Sequence, residues 1–235
     1  MATGTRPNRI TKADIPPLVA GDRLTCDEFE RRYEAMPHVS KAELIEGVVY
    51  MPSPVSADEH GEPHFDFSGE LFTYRASTPG VRGGDNTTLH LDLDNQPQPD
   101  VYLRIEADCG GQSRLVAGYI EGAPEFVVEV AASSASYDLH DKLNAYRRNG
   151  VREYVVWRVW DQQIDWFELK AGRFEAQSPD AHGIFRSRIM PGLWLDGPAV
   201  VTGDLPRVLQ TLHLGIASGE HAAFVEQLAK ARNTI

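Results

Sequence analysis

The sequence predicts one domain of the α/β or α+β class, built around a mixed sheet. Its 235 residues suit a single domain of moderate size with a full hydrophobic core. Strand patterns, then a helical pattern, then further strand patterns follow one another over residues 100–169, an order typical of a mixed sheet with helices beside it. The most apolar of these segments, Phe126-Val127-Val128-Glu129-Val130, is typical of a buried strand. We therefore expect a layered domain with this strand in its interior.

The start of the chain predicts an arm followed by a short helix. Residues 1–23 mix Pro, Gly and polar residues without periodicity, which is typical of a flexible arm. Thr25 and Glu28 have the spacing of a capping box, and apolar residues follow at helical spacing. A helix is therefore expected over residues 26–35.

A strand and a second helix are predicted next. Residues 43–51 have strand character and end at the turn Pro52-Ser53-Pro54. Residues 60–76 have helical periodicity, although Pro63 limits how early the helix begins. The residues expected on the packing face of this helix are Phe65, Ser68, Leu71 and Phe72.

The middle of the chain predicts a turn and a series of strands. Residues 80–84 contain three glycines and predict a turn. Strand patterns cover residues 87–91, 100–105, 115–120 and 126–130. These segments supply the strands that precede the main helix.

The second half of the chain predicts a helix, a hairpin and a helical end. The helix covers residues 137–149 and ends at Asn149-Gly150, a favourable C-terminal pair. Residues 151–160 and 164–169 predict a hairpin, and helices are expected over residues 205–212 and 221–232. The predicted division of the chain is an arm at 1–23, a core domain at 24–196 and a helical C-terminal appendage at 197–235.

Composition limits the functional classes. The net charge of -11 and the pI near 5.2 argue against general, charge-driven binding of nucleic acid. The two cysteines, Cys26 and Cys109, form no disulfide or zinc-binding pattern, which favours a reducing, cytoplasmic compartment. No apolar run is long enough for a membrane span, and residues 1–12 lack the apolar segment of a secretion signal.

Two acidic residues stand out against the apolar strands. Side chains alternate along residues 126–130, so Glu129 shares a face with Val127. A carboxylate buried in such a strand costs several kcal/mol unless a cation or a partner compensates it. If Asp100 begins a neighbouring strand, the two carboxylates can converge, and they would repel each other unless a hard cation lies between them.

A divalent cation and a lysine complete a candidate catalytic site. Mg²⁺, or Mn²⁺ in its place, takes oxygen ligands and suits a pair of carboxylates. Lys142 lies between Leu139 and Tyr146 on the buried stripe of the predicted helix 137–149, so it can lean toward the sheet. Its ammonium could orient an attacking water or stabilise a pentacovalent phosphate, while the metal lowers the pKa of bound water. These residue types therefore point to metal-assisted phosphodiester hydrolysis.

Each candidate residue also has an ordinary structural explanation. Asp100 could be a turn carboxylate after Pro99, and Glu129 could form an ion pair with Arg104 or Lys142. Lys142 could pair with Asp138 along the helix, and Glu46 could be a solvent-facing strand residue. His60 is expected at the surface or at a helix start, and is not assigned to the site. The tryptophans that could stack on bases, but pack equally well in a hairpin, are Trp157, Trp160 and Trp166.

A series of short motifs runs in a fixed order between residues 24 and 196. The segments are Glu43-Leu44-Ile45-Glu46-Gly47, Pro52, His60-Gly61, Gly84-Asp85-Asn86, Pro99-Asp100, Pro124-Glu125-Phe126-Val127-Val128-Glu129-Val130, Asp138, Lys142, Tyr146, Gly150-Val151-Arg152-Glu153-Tyr154, Ser187 and Pro191-Gly192-Leu193. In this order they resemble the bacterial putative restriction endonuclease family of the PD-(D/E)XK nuclease superfamily.

The resemblance implies a restriction-endonuclease-like α/β/α core and a set of site residues. It implies Asp100 and Glu129 as metal ligands, with Val130 as a further metal position, and Lys142 as the catalytic lysine. Glu46 matches the early acidic position, which implies a further metal or water contact. The superfamily pattern has its lysine two residues after the acidic residue, where Ala131 stands in this chain. The resemblance therefore implies a lysine that has moved to the helix.

The sequence leads to two functional hypotheses. The first is a Mg²⁺-dependent phosphodiesterase that cuts DNA, with a homodimer suited to cutting two strands. The second is a non-catalytic module that keeps the fold and binds nucleic acid or protein, favoured by the acidic charge and by the lysine missing from the strand. Metal affinity distinguishes them. Asp100→Ala should keep or raise the stability of a metal enzyme, because it removes one of two repelling carboxylates.

Overall fold

The computed structural model describes residues 15–51 and 56–234. The turn expected at residues 52–54 lies outside the described residues, as do residues 1–14 of the expected arm. Residues 15–23 pack against the chain around residues 48–50. Leu18 is buried, and the Gly21 N–H donates to the Val49 carbonyl at 2.8 Å. The division into arm, core and appendage remains a prediction.

The described residues form seven α-helices and thirteen strands. The helices are α1 (Cys26–Ala35), α2 (Glu62–Ala76), α3 (Ala135–Tyr137), α4 (Leu143–Asn149), α5 (Gly197–Thr202), α6 (Leu205–Ile216) and α7 (Gly219–Arg232). The strands are β1 (Glu43–Ile45), β2 (Val48–Tyr50), β3 (Val81–Asp85), β4 (Leu89–His90), β5 (Val101–Ile105), β6 (Arg114–Val116), β7 (Tyr119–Glu121), β8 (Phe126–Ala131), β9 (Glu153–Arg158), β10 (Gln163–Lys170), β11 (Arg173–Ala176), β12 (Ile184–Arg186) and β13 (Trp194–Asp196). Single π-helical turns at Ala57–Gly61 and Asp138–Lys142 precede α2 and α4.

A six-stranded mixed sheet with the order β11-β10-β9-β8-β5-β3 forms the centre of the fold. Only β8 and β9 are parallel neighbours, with Val127 opposite Tyr154, and the other pairs in this sheet are antiparallel. Two parallel neighbours need a long crossover, which here is the helical segment from α3 to α4. The predicted order of strands, helix and hairpin is therefore confirmed.

The two faces of this sheet bury two separate apolar clusters. On one face, Val128 and Val130 pack with Phe67 of α2 and with Leu212 and Phe224 of the C-terminal helices. On the other face, Val127 packs with Tyr146 of α4 and with Tyr154. The sheet therefore lies between helical layers, as predicted, and Glu129 points to the α4 side because it alternates with Val128 and Val130.

Residues 43–51 form a hairpin, not the single predicted strand. β1 pairs with β2 in antiparallel register, and the turn consists of Glu46 and Gly47, both with positive φ (52° and 72°). Two central residues with positive φ match the sense of the strand twist in a hairpin. Glutamate rarely adopts this conformation, so the turn is hard to predict from the sequence.

Residues 80–84 were predicted to be a turn, but they belong largely to strand β3. The sequence predicts Gly83 as a turn residue, but its lack of a side chain is what lets β3 pair with β5. A Cβ atom at Gly83 would lie 2.8 Å from the Tyr102 carbonyl oxygen and from a Leu103 methyl group. Glycine here permits close approach of β3 to β5, so it is a packing requirement and not a turn signal.

Two further local predictions were wrong. In α2 the predicted packing residues Phe65 and Phe72 are 77% and 66% exposed, while Phe67 and Tyr74 face the core. The buried carboxyl of Glu70 on the packing face broke the apolar pattern that would have shown this. Residues 115–120 form the hairpin β6–β7 around Ala117 and Gly118 instead of one strand.

The remaining predictions agree with the structure in outline. Helix α1 has the predicted bounds, although the Thr25 side chain makes no cap hydrogen bond, so the capping box is absent. Trp157 and Trp166 are buried in the core, whereas Trp160 is 58% exposed. The C-terminal helices α6 and α7 form as predicted and contribute to the same apolar cluster as the sheet. Among the described residues, no helix is both long and apolar enough to cross a membrane.

Candidate active site

A cavity of about 1210 Å³ lies beside the start of β5 and the end of β8. The predicted site residues Asp100, Glu129 and Lys142 all line it, and each is only 2–3% exposed. Further lining residues come from several other segments, among them the loop before β1, the β1–β2 hairpin, the turn before α2 and the loop after β8. The structure therefore brings together three residues that lie up to 42 positions apart in the sequence.

Asp100 is held at the start of β5 by the neighbouring strand and by two basic side chains. Its Oδ2 accepts the backbone N–H of Val130 at 2.8 Å and lies 3.2 Å from His60 Nε2. Its Oδ1 lies 3.3 Å from Lys41 Nζ. Burial alone would raise the pKa of Asp100, but the hydrogen bond from His60 and the charges of Lys41 and Lys142 outweigh burial and lower it below its ordinary value. Asp100 is therefore an ionised carboxylate.

Glu129 and Lys142 form a buried ion pair at the centre of the site. Lys142 Nζ lies 3.0 Å from Glu129 Oε1, and the Tyr146 hydroxyl donates to the same oxygen at 2.8 Å. The ammonium also lies 5.4 Å from the centre of the Tyr137 ring, within the range of a cation–π interaction. The π-helical turn Asp138–Lys142 carries the lysine into the interior beneath β8.

The early acidic residue that reaches the site is Glu43, not Glu46. Glu43 Oε1 lies 3.1 Å from Lys142 Nζ and accepts the backbone N–H of Gln98 at 2.7 Å. Glu46 occupies the hairpin turn, where its carboxylate pairs with Arg148 at 3.0 Å, and it does not line the cavity. Of these two acids, Glu43 is the one that lines the cavity, because it lies in strand β1 whereas Glu46 lies in the turn.

One ammonium faces several carboxylates inside this cavity. Burial would lower the pKa of Lys142, but Glu129, Glu43 and Asp138 outweigh it and raise the pKa well above its ordinary value. Burial raises the pKa values of Glu129 and Asp138, and Lys142 offsets this only in part because it is shared. The acidic side chains that line the cavity outnumber its two lysines, and a further cation would relieve the repulsion between them.

His60 and Lys41 are functional candidates that the sequence prediction missed. Both contact Asp100 directly, and Lys41 Nζ also lies 3.1 Å from Asn86 Oδ1. A second histidine, His64, places Nε2 2.9 Å from the Asp100 carbonyl oxygen. No sequence pattern points to Lys41, which lies in a loop. His60 stood in a matched motif, but a single histidine near a helix start is most often a surface residue.

The oxygen donors of the site fit a hard divalent cation. The carboxylates of Asp100 and Glu129 and the backbone carbonyl of Val130 are oxygen ligands of the kind that Mg²⁺ prefers, and Mg²⁺ commonly keeps several waters. Val130 follows Glu129 directly, and its own N–H is bonded to Asp100. The three acids nearest Lys142 do not gather three ligand atoms within 4.8 Å, so water and substrate oxygens would complete the coordination.

A second acidic group, outside the cavity, does bring three potential ligand atoms close together. Among the described residues, Glu106, Asp108 and Cys109 bring three potential ligand atoms within 4.8 Å of one another. Arg232 already pairs with both carboxylates there, at 2.9 Å for Asp108. This group lies outside the cavity and carries no site assignment.

The basic residues suggested by the sequence do not form a free cationic surface. Arg148 pairs with Glu46 and Asp92, and Arg188 pairs with Glu168 at 2.7 Å. The remaining candidates have partners as well: Arg186 pairs with Asp180, Arg152 donates to Gln112, and Arg147 donates to the Gly172 carbonyl. Acidic partners therefore neutralise the charge of Arg148, Arg186 and Arg188, whereas Arg147 and Arg152 donate to neutral groups and keep theirs.

Comparisons with known proteins agree with this fold. The family model described as Uma2, putative restriction endonuclease, matches residues 26–197. The fold is similar to that of a crystal structure, at 1.96 Å resolution, of a putative nuclease belonging to DUF820 from Anabaena variabilis ATCC 29413. The TM-score is 0.60 at 17% sequence identity, and the match covers 76% of this chain and 98% of that chain. No curated protein matches this chain.

Proposed function

We propose that this chain, which belongs to the Uma2 family of putative restriction endonucleases, hydrolyses phosphodiester bonds in DNA with the help of Mg²⁺ or Mn²⁺. The observation that carries the proposal is the buried group of Asp100, Glu129 and Lys142 at one cavity. Burying an ionised carboxylate is costly, and an excess of carboxylates around one ammonium is costlier still. A metal-dependent reaction explains why these carboxylates are buried together, whereas packing alone does not.

Asp100, Glu129 and the Val130 carbonyl would hold the metal. When bound there, it would lower the pKa of a coordinated water and offset negative charge on the scissile phosphate. The Val130 N–H fixes the Asp100 carboxylate, and the Tyr146 hydroxyl fixes the Glu129 carboxylate, both at 2.8 Å. The ligands are thus oriented before any substrate arrives, which favours catalysis by preorganisation.

Lys142 would stabilise the negative charge that develops on the phosphate. Its Nζ lies 3.0 Å from Glu129 Oε1, so a phosphate near that carboxylate would also lie within reach of the ammonium. Glu43 acts through Lys142 as a positioning residue, since it contacts the ammonium at 3.1 Å and is itself fixed by the Gln98 N–H. Lys142, in the π-helical turn before α4, would take the place of the strand lysine of the superfamily pattern, whose position Ala131 occupies in this chain.

A non-catalytic binding module is the second candidate. The observations that favour it are the net charge of -11 and the ion pair between Lys142 and Glu129, which neutralises part of the site without metal. Such a module would keep the buried charges as a structural network. It would bind no divalent cation in the cavity.

Metal titration together with DNA cleavage tests the proposal. Mg²⁺ and Mn²⁺ are titrated calorimetrically into the wild type and into Glu129→Gln and Asp100→Asn, and plasmid nicking is measured in the same buffers. We expect binding and nicking in the wild type and the loss of both in the two variants. These substitutions keep the side-chain volume and remove the ligand charge.

Glu46→Gln is the matched control. It removes a glutamate charge from the same hairpin but outside the cavity, so metal binding and nicking should stay at the wild-type level. A wild type that binds neither metal at millimolar concentration, leaves the plasmid intact and cuts no single-stranded DNA in these buffers would contradict the nuclease proposal and favour the binding module. Nicking that persists in Glu129→Gln at the wild-type rate would remove Glu129 from the catalytic site.

A further inference from the structure

The candidate catalytic groups are recessed from the protein surface. Asp100, Glu129 and Lys142 are only 2–3% exposed, although they line a cavity of about 1210 Å³. That volume is only slightly above the range of roughly 300–1,000 Å³ found for small-molecule pockets. Duplex DNA is a stiff rod with a persistence length of about 50 nm, so it cannot bend into a space of this size. A nucleotide from an unpaired strand can enter it.

Several basic residues in the described part of the chain are paired with acids, so they are not free to contact the backbone of a duplex. Proteins that bind duplex DNA neutralise several phosphates with Lys and Arg along the backbone. Here the arginines Arg148, Arg186 and Arg188 are paired with acids, and the whole chain carries a charge of -11. Lys41 and His60 are placed differently, because they lie at the cavity next to Asp100 with 24% and 21% of their side chains exposed.

Two aromatic side chains line the same cavity as Lys41 and His60. Tyr50 and Tyr137 both line the cavity, with their ring centres 4.1 Å apart. Tyr50 is partly exposed and is fixed by a hydrogen bond from its hydroxyl to Asp141 at 2.9 Å. Aromatic rings next to a cationic position are the usual elements of single-strand binding, because a base with no pairing partner can stack on them.

From these observations we propose that the cavity accepts an unpaired DNA strand, with Lys41 and His60 at a phosphate beside Asp100 and a base against Tyr50. This inference rests on the proposed nuclease function and names its substrate form. The enzyme would cut single-stranded DNA, or the unpaired part of a branched or frayed duplex. A continuous duplex would have to unpair before its phosphate reached the site.

One labelled DNA strand offered in three forms tests the inference. The strand is presented alone, annealed to a full complement, and annealed to a shorter complement that leaves one end unpaired, each with Mg²⁺ or Mn²⁺. We expect cleavage of the free strand and of the unpaired end, with the full duplex cut at least about tenfold more slowly because unpairing must come first. Mapping the cuts on a sequencing gel shows whether they stay within the unpaired end.

Binding measurements keep the inference testable if cleavage is absent. Fluorescence anisotropy of the same DNAs with Glu129→Gln should show the same preference for the unpaired strand. Tyr50→Leu should weaken single-strand binding about fivefold or more, the effect of losing one stacked base, and Tyr50→Phe should restore most of the affinity. Trp160→Leu removes an exposed aromatic residue outside the cavity and should change nothing.

The possible outcomes separate the two proposals. A duplex that is cut as fast as the free strand, or cuts mapped inside the paired region, would overturn the inference and leave the nuclease function intact. If no form is cut, the nuclease function fails, and anisotropy then decides the inference alone. Equal affinity for single-stranded and duplex DNA would overturn the inference. Unchanged affinity of Tyr50→Leu for single-stranded DNA would also overturn it.

Discussion

Replacing Lys142 with methionine tests the electrostatic account of the site most directly. The substitution keeps most of the side-chain length and removes the ammonium that lies 3.0 Å from Glu129, 3.1 Å from Glu43 and 3.7 Å from Asp138. All four side chains are almost completely buried. Breaking a buried ion pair by removing one partner typically costs about 3–5 kcal/mol. Because three carboxylates lose their cation at once, we expect the free energy of unfolding to fall by at least about 3 kcal/mol near pH 8.

A divalent cation should then restore part of the lost stability of Lys142→Met. A ligand that binds only the folded state stabilises it by about 2.7 kcal/mol at one hundred times its dissociation constant. The wild type should gain less, since Lys142 already neutralises part of the site and competes with the metal for Glu129. Urea unfolding followed by tryptophan fluorescence, with EDTA or with Mg²⁺, measures both effects, and plasmid nicking should be lost in the variant.

Lys230→Met is the matched control for this experiment. Lys230 also pairs with an acid four residues away on its helix, Glu226, but both side chains are exposed. Exposed ion pairs contribute about 0–1 kcal/mol, so this variant should keep nearly all the wild-type stability. Stability of Lys142→Met within about 1 kcal/mol of the wild type would refute the description of the site as a shared buried ion pair. A loss of stability that Mg²⁺ does not reduce would count against a metal site at these carboxylates.

Three further predictions concern the supporting residues and the core. Glu43→Gln keeps the acceptor for the Gln98 N–H but loses the charge that positions Lys142. We therefore expect kcat to fall about tenfold at nearly constant KM. An unchanged kcat would remove Glu43 from the site. Burial raises the pKa of Glu153 to about 7, above the value near 4.3 for an unfolded chain. The folded state therefore holds the Glu153 proton more tightly than the unfolded state does. The free energy of unfolding should fall as pH rises from about 4.5 to about 7. Glu153→Gln should remove roughly 3 kcal/mol of that pH dependence in urea titrations, and an unaltered pH profile would contradict it. Phe67→Ala should cost about 3–5 kcal/mol of unfolding free energy and Phe72→Ala less than about 1, and similar costs would show that the face of α2 is assigned wrongly.

The sequence predicted those parts of the fold in which local pattern and tertiary environment agree. The buried strand β8, the helical segment after it and the hairpin β9–β10 are long or strongly apolar, so periodicity identifies them. The prediction failed where a tertiary contact decides the local conformation. Gly83 lies in a strand because β5 approaches it closely, and a single sequence gives a glycine the same appearance in a turn and in such a contact.

The same distinction explains which site residues could be predicted. Glu129 is conspicuous because a carboxylate interrupts an apolar run, and Asp100 and Lys142 were found through the motifs around them. Glu43 was missed because Glu43 and Glu46 are both acidic, and only the turn at Glu46-Gly47 decides which of them faces the cavity. Lys41 comes from a loop and His60 from the start of a predicted helix, so their approach to Asp100 depends on the folded chain.

The structure also changes which experiment can identify the role of Asp100. The sequence suggested that Asp100→Ala would keep or raise the stability of a metal enzyme, because repelling carboxylates would be relieved. In the folded protein, however, Asp100 accepts the Val130 N–H and contacts both Lys41 and His60, so its removal leaves a buried donor and a cation without their partner. Such losses destabilise a protein whether or not the carboxylate binds metal. A less stable Asp100→Ala variant therefore does not argue against a metal site. The response of Lys142→Met to Mg²⁺ does separate the two roles, because it leaves Asp100 and its partners in place and changes only the competition for the carboxylates.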